Sequence, residues 1–185
     1  MALAGKHGVT ANTPKNIVFG AGTIHKNMTK ESNKWTGGTI VGATNGGSKV
    51  SIIPELVDIA IDGANVAVKG LKHKTGETVT LEVNFAEITA EVIAAATAGT
   101  NNEGVITSKA DIVEGDYWEN VAFVGETIDG ESIIVVLPNA LITSGFELEG
   151  KHKEGAVLTV TFTCHAEPDG DLDKLAWEII YPNRA

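Results

Sequence analysis

The sequence predicts a mainly β domain carrying one helix, on three observations. Glycine occurs 21 times in 185 residues, well above the usual share of about 7%, which points to many tight turns between short strands. Thr78 to Phe85 alternates strictly, with Val79, Leu81, Val83 and Phe85 on one face and Thr78, Thr80, Glu82 and Asn84 on the other, the period of a half-buried strand. A single stretch, immediately after that strand, carries helix signals. The length suits one domain, residues 1–185, since domains typically run to about 100 to 200 residues. With 43% hydrophobic and 21% charged residues, the chain can bury a core and is not of disordered composition.

In chain order, Asn16 to His25 reads as a bent or bulged strand, because Ile17, Phe19 and Ile24 stand among Gly20, Ala21 and Gly22. Residues 26–48 turn polar and Gly-rich and read as a long loop, interrupted by the apolar Trp35, Ile40 and Val41. Long structureless loops in compact domains are usually functional or disordered, and the apolar residues make this one a candidate docking segment; equally, Trp35 can cover its own core. Lys49 to Ile53 and Val57 to Ile61 read as strands, followed by the Asp62-Gly63 turn and a further strand from Asn65 to Val68.

The helix is expected over Ala86 to Ala98, with Asn84 as cap, Glu87 at the third position of a capping box and Gly99 closing it. Ile88, Val92 and Ala96 share its apolar face. After an Asn101-Asn102 break, strands are expected at Gly104 to Ser108, Asn120 to Ile128, Ser132 to Leu137, Leu141 to Leu148, Val157 to Cys164 and Trp177 to Tyr181. Ile133 to Leu137 is apolar throughout, which indicates burial on both faces, either inside the domain or against another chain; Asp129-Gly130 supplies the turn before it. The similar turns Lys72-His-Lys-Thr-Gly76 and Lys151-His-Lys-Glu-Gly155 both lead into Thr-rich strands, an echo too short to define a repeat.

The formal charge of −10 disfavours gripping a nucleic acid, which needs clustered Lys and Arg to neutralise phosphates. The one cysteine, Cys164, excludes an internal disulfide, suits assembly in a reducing cytoplasm and reads as a small buried hydrophobe. Met1 to Val9 lacks the apolar core of a signal peptide, and no stretch reaches the roughly 18 apolar residues of a membrane span.

Chemistry is scarce. Histidines 7, 25, 73, 152 and 165 are dispersed, at no recurrent metal spacing. Glu167 to Asp173 is acidic and adjoins His165, but lacks the later bidentate Glu of a calcium loop. Ser48 has no nucleophile-elbow context, and Gly46-Gly47-Ser48-Lys49 enters a strand where a phosphate loop enters a helix. No catalytic, cofactor or metal site is expected.

The order of features, however, resembles that of the major tail tube proteins of long-tailed bacteriophages. The matching features are Gly20 to Thr23, the segment Gly42-Ala-Thr-Asn-Gly-Gly-Ser48, Asp62-Gly63 followed by Val68-Lys-Gly70, the Glu87-Ile-Thr-Ala-Glu91 helix start, and Pro168-Asp-Gly-Asp-Leu-Asp before the last strand. The resemblance spans nearly the whole chain and rests on shared order, since each motif alone is common. It implies a β-sandwich or half-barrel flanked by one helix, and subunits joined in hexameric rings stacked into a tube. It also implies a virion-tail location after assembly in the host cytoplasm, with other tail proteins (tape measure, terminator, sheath in a contractile tail) as partners. Double-stranded DNA would pass through without specific binding, with no cofactor and no membrane.

On that expectation Trp35, Ile40, Val41, Asp62, Gly63 and the chain termini are candidate contacts between subunits or rings, and deleting residues 30–38 should leave folded subunits unable to polymerise. Thr78, Thr80, Glu82, Asn84, Thr159, Thr161 and Thr163 are candidate lumen residues or, equally, an outer solvent face. An anionic lumen would let DNA slide, because each phosphate neutralised by a cation adds grip. The alternative is a β-sandwich module binding carbohydrate or decorating a virion surface through Trp35, Tyr117, Trp118 and Trp177. An enzyme lacks any nameable set of acid, base and nucleophile.

Overall fold

The computed structural model describes residues 7–150 and 152–182. Lys6 and the rest of the first six residues, Lys151, and the last three residues lie outside the described residues, and with them parts of the expected terminal contacts and of the second basic turn. The strands are β1 (Val18–Glu31), β2 (Lys34–Ile40), β3 (Thr44–Asp58), β4 (Lys72–Phe85), β5 (Gly99–Asn102), β6 (Val105–Ser108), β7 (Val121–Thr127), β8 (Ser132–Leu137), β9 (Ala140–Ile142), β10 (Leu158–Cys164) and β11 (Glu178–Ile180), with the helix α1 (Ala90–Ala96) between β4 and β5. They form a five-stranded sheet ordered β11-β8-β7-β1-β2, a four-stranded sheet ordered β3-β4-β10-β9, and a β5-β6 hairpin. All the pairings are antiparallel.

The two larger sheets enclose one apolar cluster, so the architecture is the expected mainly β sandwich. Ile24, Val121, Val135 and Leu137 come from the five-stranded sheet, and Val79, Leu81, Val83, Phe85, Leu158, Val160 and Phe162 from the four-stranded one; Val92 and Ala96 of α1 join them. Each strand contributes every second residue, as the pleat requires. Cys164 is buried in the same cluster, and burial pushes its thiol up to about 11, in line with an inert core position.

Residues 26–48 are not a long loop. They complete β1, form all of β2 and begin β3. Ser32 and Asn33 both take left-handed backbone (φ 46° and 67°) between the paired Glu31 and Lys34, the two-residue turn whose twist suits a hairpin. Gly38 is present for space: a Cβ there would lie 2.8 Å from the Met28 side chain and 3.0 Å from the Lys26 carbonyl. Deleting residues 30–38 would therefore remove this turn and most of an edge strand, and would test folding, not assembly.

Further corrections are local. The two strands expected at 49–61 are one, β3, continuous to Asp58, and Asn65 to Val68 lies in the connection between β3 and β4. Asp62-Gly63 does make a turn there, with Gly63 at φ 85° and Ala64 N–H donating to the Ile61 carbonyl. The helix starts later than expected: Thr89 is its cap, its hydroxyl accepting from Val92 N–H at 3.3 Å. Glu87 instead accepts from Ala43 N–H at 3.0 Å, tying the start of β3 to the end of β4. Gly99 opens β5, which includes the Asn101-Asn102 pair expected as a break. The strand expected over Leu141 to Leu148 is confined to Ala140–Ile142.

Candidate assembly surfaces

The four-stranded sheet turns its apolar face to the core and a polar face outward. Register brings the seven candidate lumen residues onto that one face: Thr159 stands opposite Asn84, Thr161 opposite Glu82, and Thr163 opposite Thr80. The face continues onto β3, where Lys49 stands opposite Glu82, Ser51 opposite Thr80 and Ile53 opposite Thr78. Hydrogen bonds stitch it laterally. Thr159 Oγ1 donates to Asn84 Oδ1 at 2.6 Å, Asn84 Nδ2 donates to the Gly47 carbonyl at 3.1 Å, and the Thr143 and Thr163 hydroxyls meet at 2.8 Å. The surface is hydroxyl-rich and sparsely charged: Glu82 faces Lys49 in register, and Glu55 follows on the same side of β3, opposite Gly76.

Among the described residues the β3 edge of this sheet is open, and the β9 edge is open beyond Ala140. Among the described residues β3 pairs only with β4; β9 pairs with β10, and on its other side Ala140 exchanges both backbone bonds with Trp118, at 2.8 and 2.9 Å. Pro54, inside β3, is compatible with an edge strand because it has no N–H to offer.

β3 and β4 also run past the rest of their sheet. β10 pairs with β4 only from Thr80 to Phe85, so residues 72–78 pair with β3 alone and the ribbon projects as an arm. Leu56, Val57, Ile59, Ile61, Val66 and Val68 are exposed along it, Val66 at 77%. Apolar exposure on that scale in one projection marks a contact surface. Glu77 anchors its root: its carboxylate accepts from Leu175 N–H at 2.9 Å and from Lys74 Nζ at 2.7 Å, and Lys74 and the Leu175 amide hold the group below the usual carboxylate range. Asp62 and Gly63 lie at the tip of this arm. Sequence reasoning did not find the arm; the signal was the run of aliphatic residues from Leu56 to Val68 among turn residues.

The other contact candidates fall apart spatially. Val41 is buried in the main core and Ile40 is exposed. Trp35 packs on the outer face of the five-stranded sheet with Met28, Ala122 and Val136. Its indole N–H donates to Glu178 at 2.9 Å, and Lys30 Nζ lies 5.8 Å from its ring; Lys30 and that indole together lower the Glu178 carboxyl. Trp35 thus covers a second cluster of its own subunit, and Ile134 and Val136 of β8 face that cluster while Val135 and Leu137 face the main core, the two-sided burial expected of β8.

The aromatic residues of the alternative reading do not converge. Trp118 leans on Phe162 with ring centroids 5.4 Å apart, Trp177 packs against the main core, and Tyr117 meets His165 edge-on at 5.2 Å. His165 Nδ1 lies 2.9 Å from the Thr163 carbonyl, so this nitrogen carries the proton. In the acidic turn, Gly170 N–H donates to the Glu167 carbonyl and Asp173 N–H to Asp171 Oδ1. Among the described residues no group of three or more His, Cys, Asp or Glu side chains is placed to hold a metal ion.

No protein-family model and no curated protein matches the chain. Among solved structures it is similar to a chain of the "Virion of native gene transfer agent (GTA) particle", with a TM-score of 0.42 at 14% identity over 80% of this chain and 92% of that one. At that level the likeness carries no argument for fold or function.

Proposed function

We propose that this chain is a structural subunit of a phage-type tail tube, joining copies of itself edge to edge into rings that stack into a conduit for DNA, and that it catalyses nothing. The observation that carries the reading is a four-stranded sheet with a polar outer face, an open β3 edge and a β9 edge open beyond Ala140.

Strand direction makes ring closure consistent. β4 runs against β3 and β10, and β9 runs against β10, so the two edge strands, β3 and β9, run in opposite senses. When copies repeat about a rotation axis, the β9 of one meets the β3 of the next antiparallel, and the ladder continues without a change of type. Such head-to-tail contacts close into rings when the rotation closes, and closure removes the open edges that otherwise invite aggregation. Six copies, the number the resemblance implies, would bring about 24 strands, above the roughly 16 to 18 at which barrels already enclose an aqueous channel. The polar face would then line the bore, and the apolar arm, projecting along the strand direction, would reach the next ring. Other tail proteins would cap and fill the tube, in a virion tail assembled in the host cytoplasm.

Sedimentation velocity and negative-stain microscopy of concentrated, purified protein test this. Rings or tubes with an open bore are expected. A monomer at every concentration, or a bore lined by Lys and Arg, refutes it.

A further inference from the structure

Just beyond β9 the chain carries a strand pattern that its own subunit leaves unused. Gly145-Phe-Glu-Leu-Glu149 alternates apolar and acidic residues, as a half-buried strand does, yet Phe146, Glu147 and Leu148 make no backbone hydrogen bond to another described residue. Leu148 is 53% exposed and Phe146 36%. The chain leaves β10 at this point: Thr143 N–H still donates to the Thr161 carbonyl and Ser144 Oγ still accepts from Thr161 N–H, after which Gly145 takes φ 77°.

We infer that residues 146–148 become a β-strand only in the assembly, by pairing with the β3 edge of a second copy of this chain. The inference rests on the proposed edge-to-edge ring and names the segment that completes it. Three features single out a second copy as the occupant. The strand senses match, since a segment continuing β9 meets β3 of the next copy antiparallel. The faces match as well: Val50 and Ile52 of β3 pack only partly against the core, leaving apolar surface for Phe146 and Leu148 to cover. Charge matches too, because Lys49 is the only basic residue of β3 and lies on its polar face, where Glu147 of the arriving strand would lie. Burial of two large apolar side chains and pairing of free backbone groups both favour such strand addition.

Hydrogen exchange on the unassembled and the assembled protein tests this. The amides of Phe146 and Leu148, which face the partner edge in the register that continues β9, should exchange freely in the subunit and be slowed at least about a hundredfold in the assembly, the fold-change of a ladder opening that costs about 2.7 kcal/mol. Leu148→Pro, which removes one of those N–H groups, should abolish assembly while Leu148→Val assembles, both variants keeping the thermal midpoint of the parent subunit. If the protein assembles while these amides stay unprotected, or if Leu148→Pro assembles normally, the inference fails and the ring reading stands. If nothing assembles, both fail.

Discussion

The Glu77 carboxylate joins two parts of the chain that are distant in sequence, the root of the β3–β4 arm and the segment leading into β11. Its side chain is 5% exposed. The bond to Leu175 N–H at 2.9 Å spans 98 residues, whereas the ion pair to Lys74 is three residues away and its lysine is 42% exposed. A hydrogen bond to a charged group contributes about 1.5 to 3 kcal/mol and an ion pair to an exposed lysine about 0 to 1 kcal/mol, although Lys74 lowers the carboxyl more than the Leu175 amide does. Glu77→Ala should cost about 2 to 3 kcal/mol, or roughly 5 to 10 °C in the unfolding midpoint for a chain of this size. Glu77→Gln keeps an acceptor for Leu175 and should lose about half of that. The lowered carboxyl fixes the pH dependence. The charge contributes fully above the carboxyl value of the unfolded chain, 4.5, and the contribution fades as pH falls through the lower value of the folded state. The stability gap between parent and Glu77→Ala should therefore be widest at pH 6 to 7 and narrow toward pH 3. Thermal unfolding followed by circular dichroism across that range measures it. A gap that is absent, or constant with pH, refutes the anchoring role.

Gly22→Ala should destabilise by more than about 2 kcal/mol in a denaturant titration, because φ is +70° and a Cβ would sit 2.4 Å from the Phe123 ring and 2.9 Å from the Val124 carbonyl; a neutral result would mean that the β1 bulge relaxes. Cys164, with a thiol raised to about 11 from 9.0, has a thiolate fraction about a hundredfold lower at pH 8. Iodoacetamide should accordingly label the native protein at least about a hundredfold more slowly than the urea-unfolded chain, and equal rates would overturn its core placement.

Where local pattern and tertiary demand agree, the sequence was readable. Thr78 to Phe85 lies within β4 with the expected faces, and β8 spans Ser132 to Leu137 as its apolar run requires. Where a residue serves a distant partner, local rules misled. Glu87 has capping-box spacing but is engaged by Ala43, 44 residues away, and the helix starts at Thr89 instead. Gly37 and Gly38 suggested a loop, although Gly38 is required by close packing against β1. The turn between β1 and β2 uses Ser32-Asn33 in place of the stronger Asn-Gly signal. The polar face was legible residue by residue, but the opposition of Lys49 to Glu82 depends on a pairing register that no local window contains.

That opposition changes the physical argument for a passage. The net charge of −10 suggested a repelling wall, yet the acids lie largely elsewhere, in the turn from Glu167 to Asp173 and around Glu114, Asp116 and Glu119. On the proposed reading the lining would be hydroxylated and only weakly acidic, with Lys49 set against Glu82 and, in the assembly, Glu147. Grip on a polyanion grows with the number of phosphates neutralised by cations, so a wall whose lysine is balanced by a facing carboxylate holds DNA little better than an acidic one. Hydroxyls already engaged within the face, as Thr143 with Thr163 and Thr159 with the Asn84 amide oxygen, have fewer free donors for phosphate oxygens. Low friction would then come from a surface that satisfies itself.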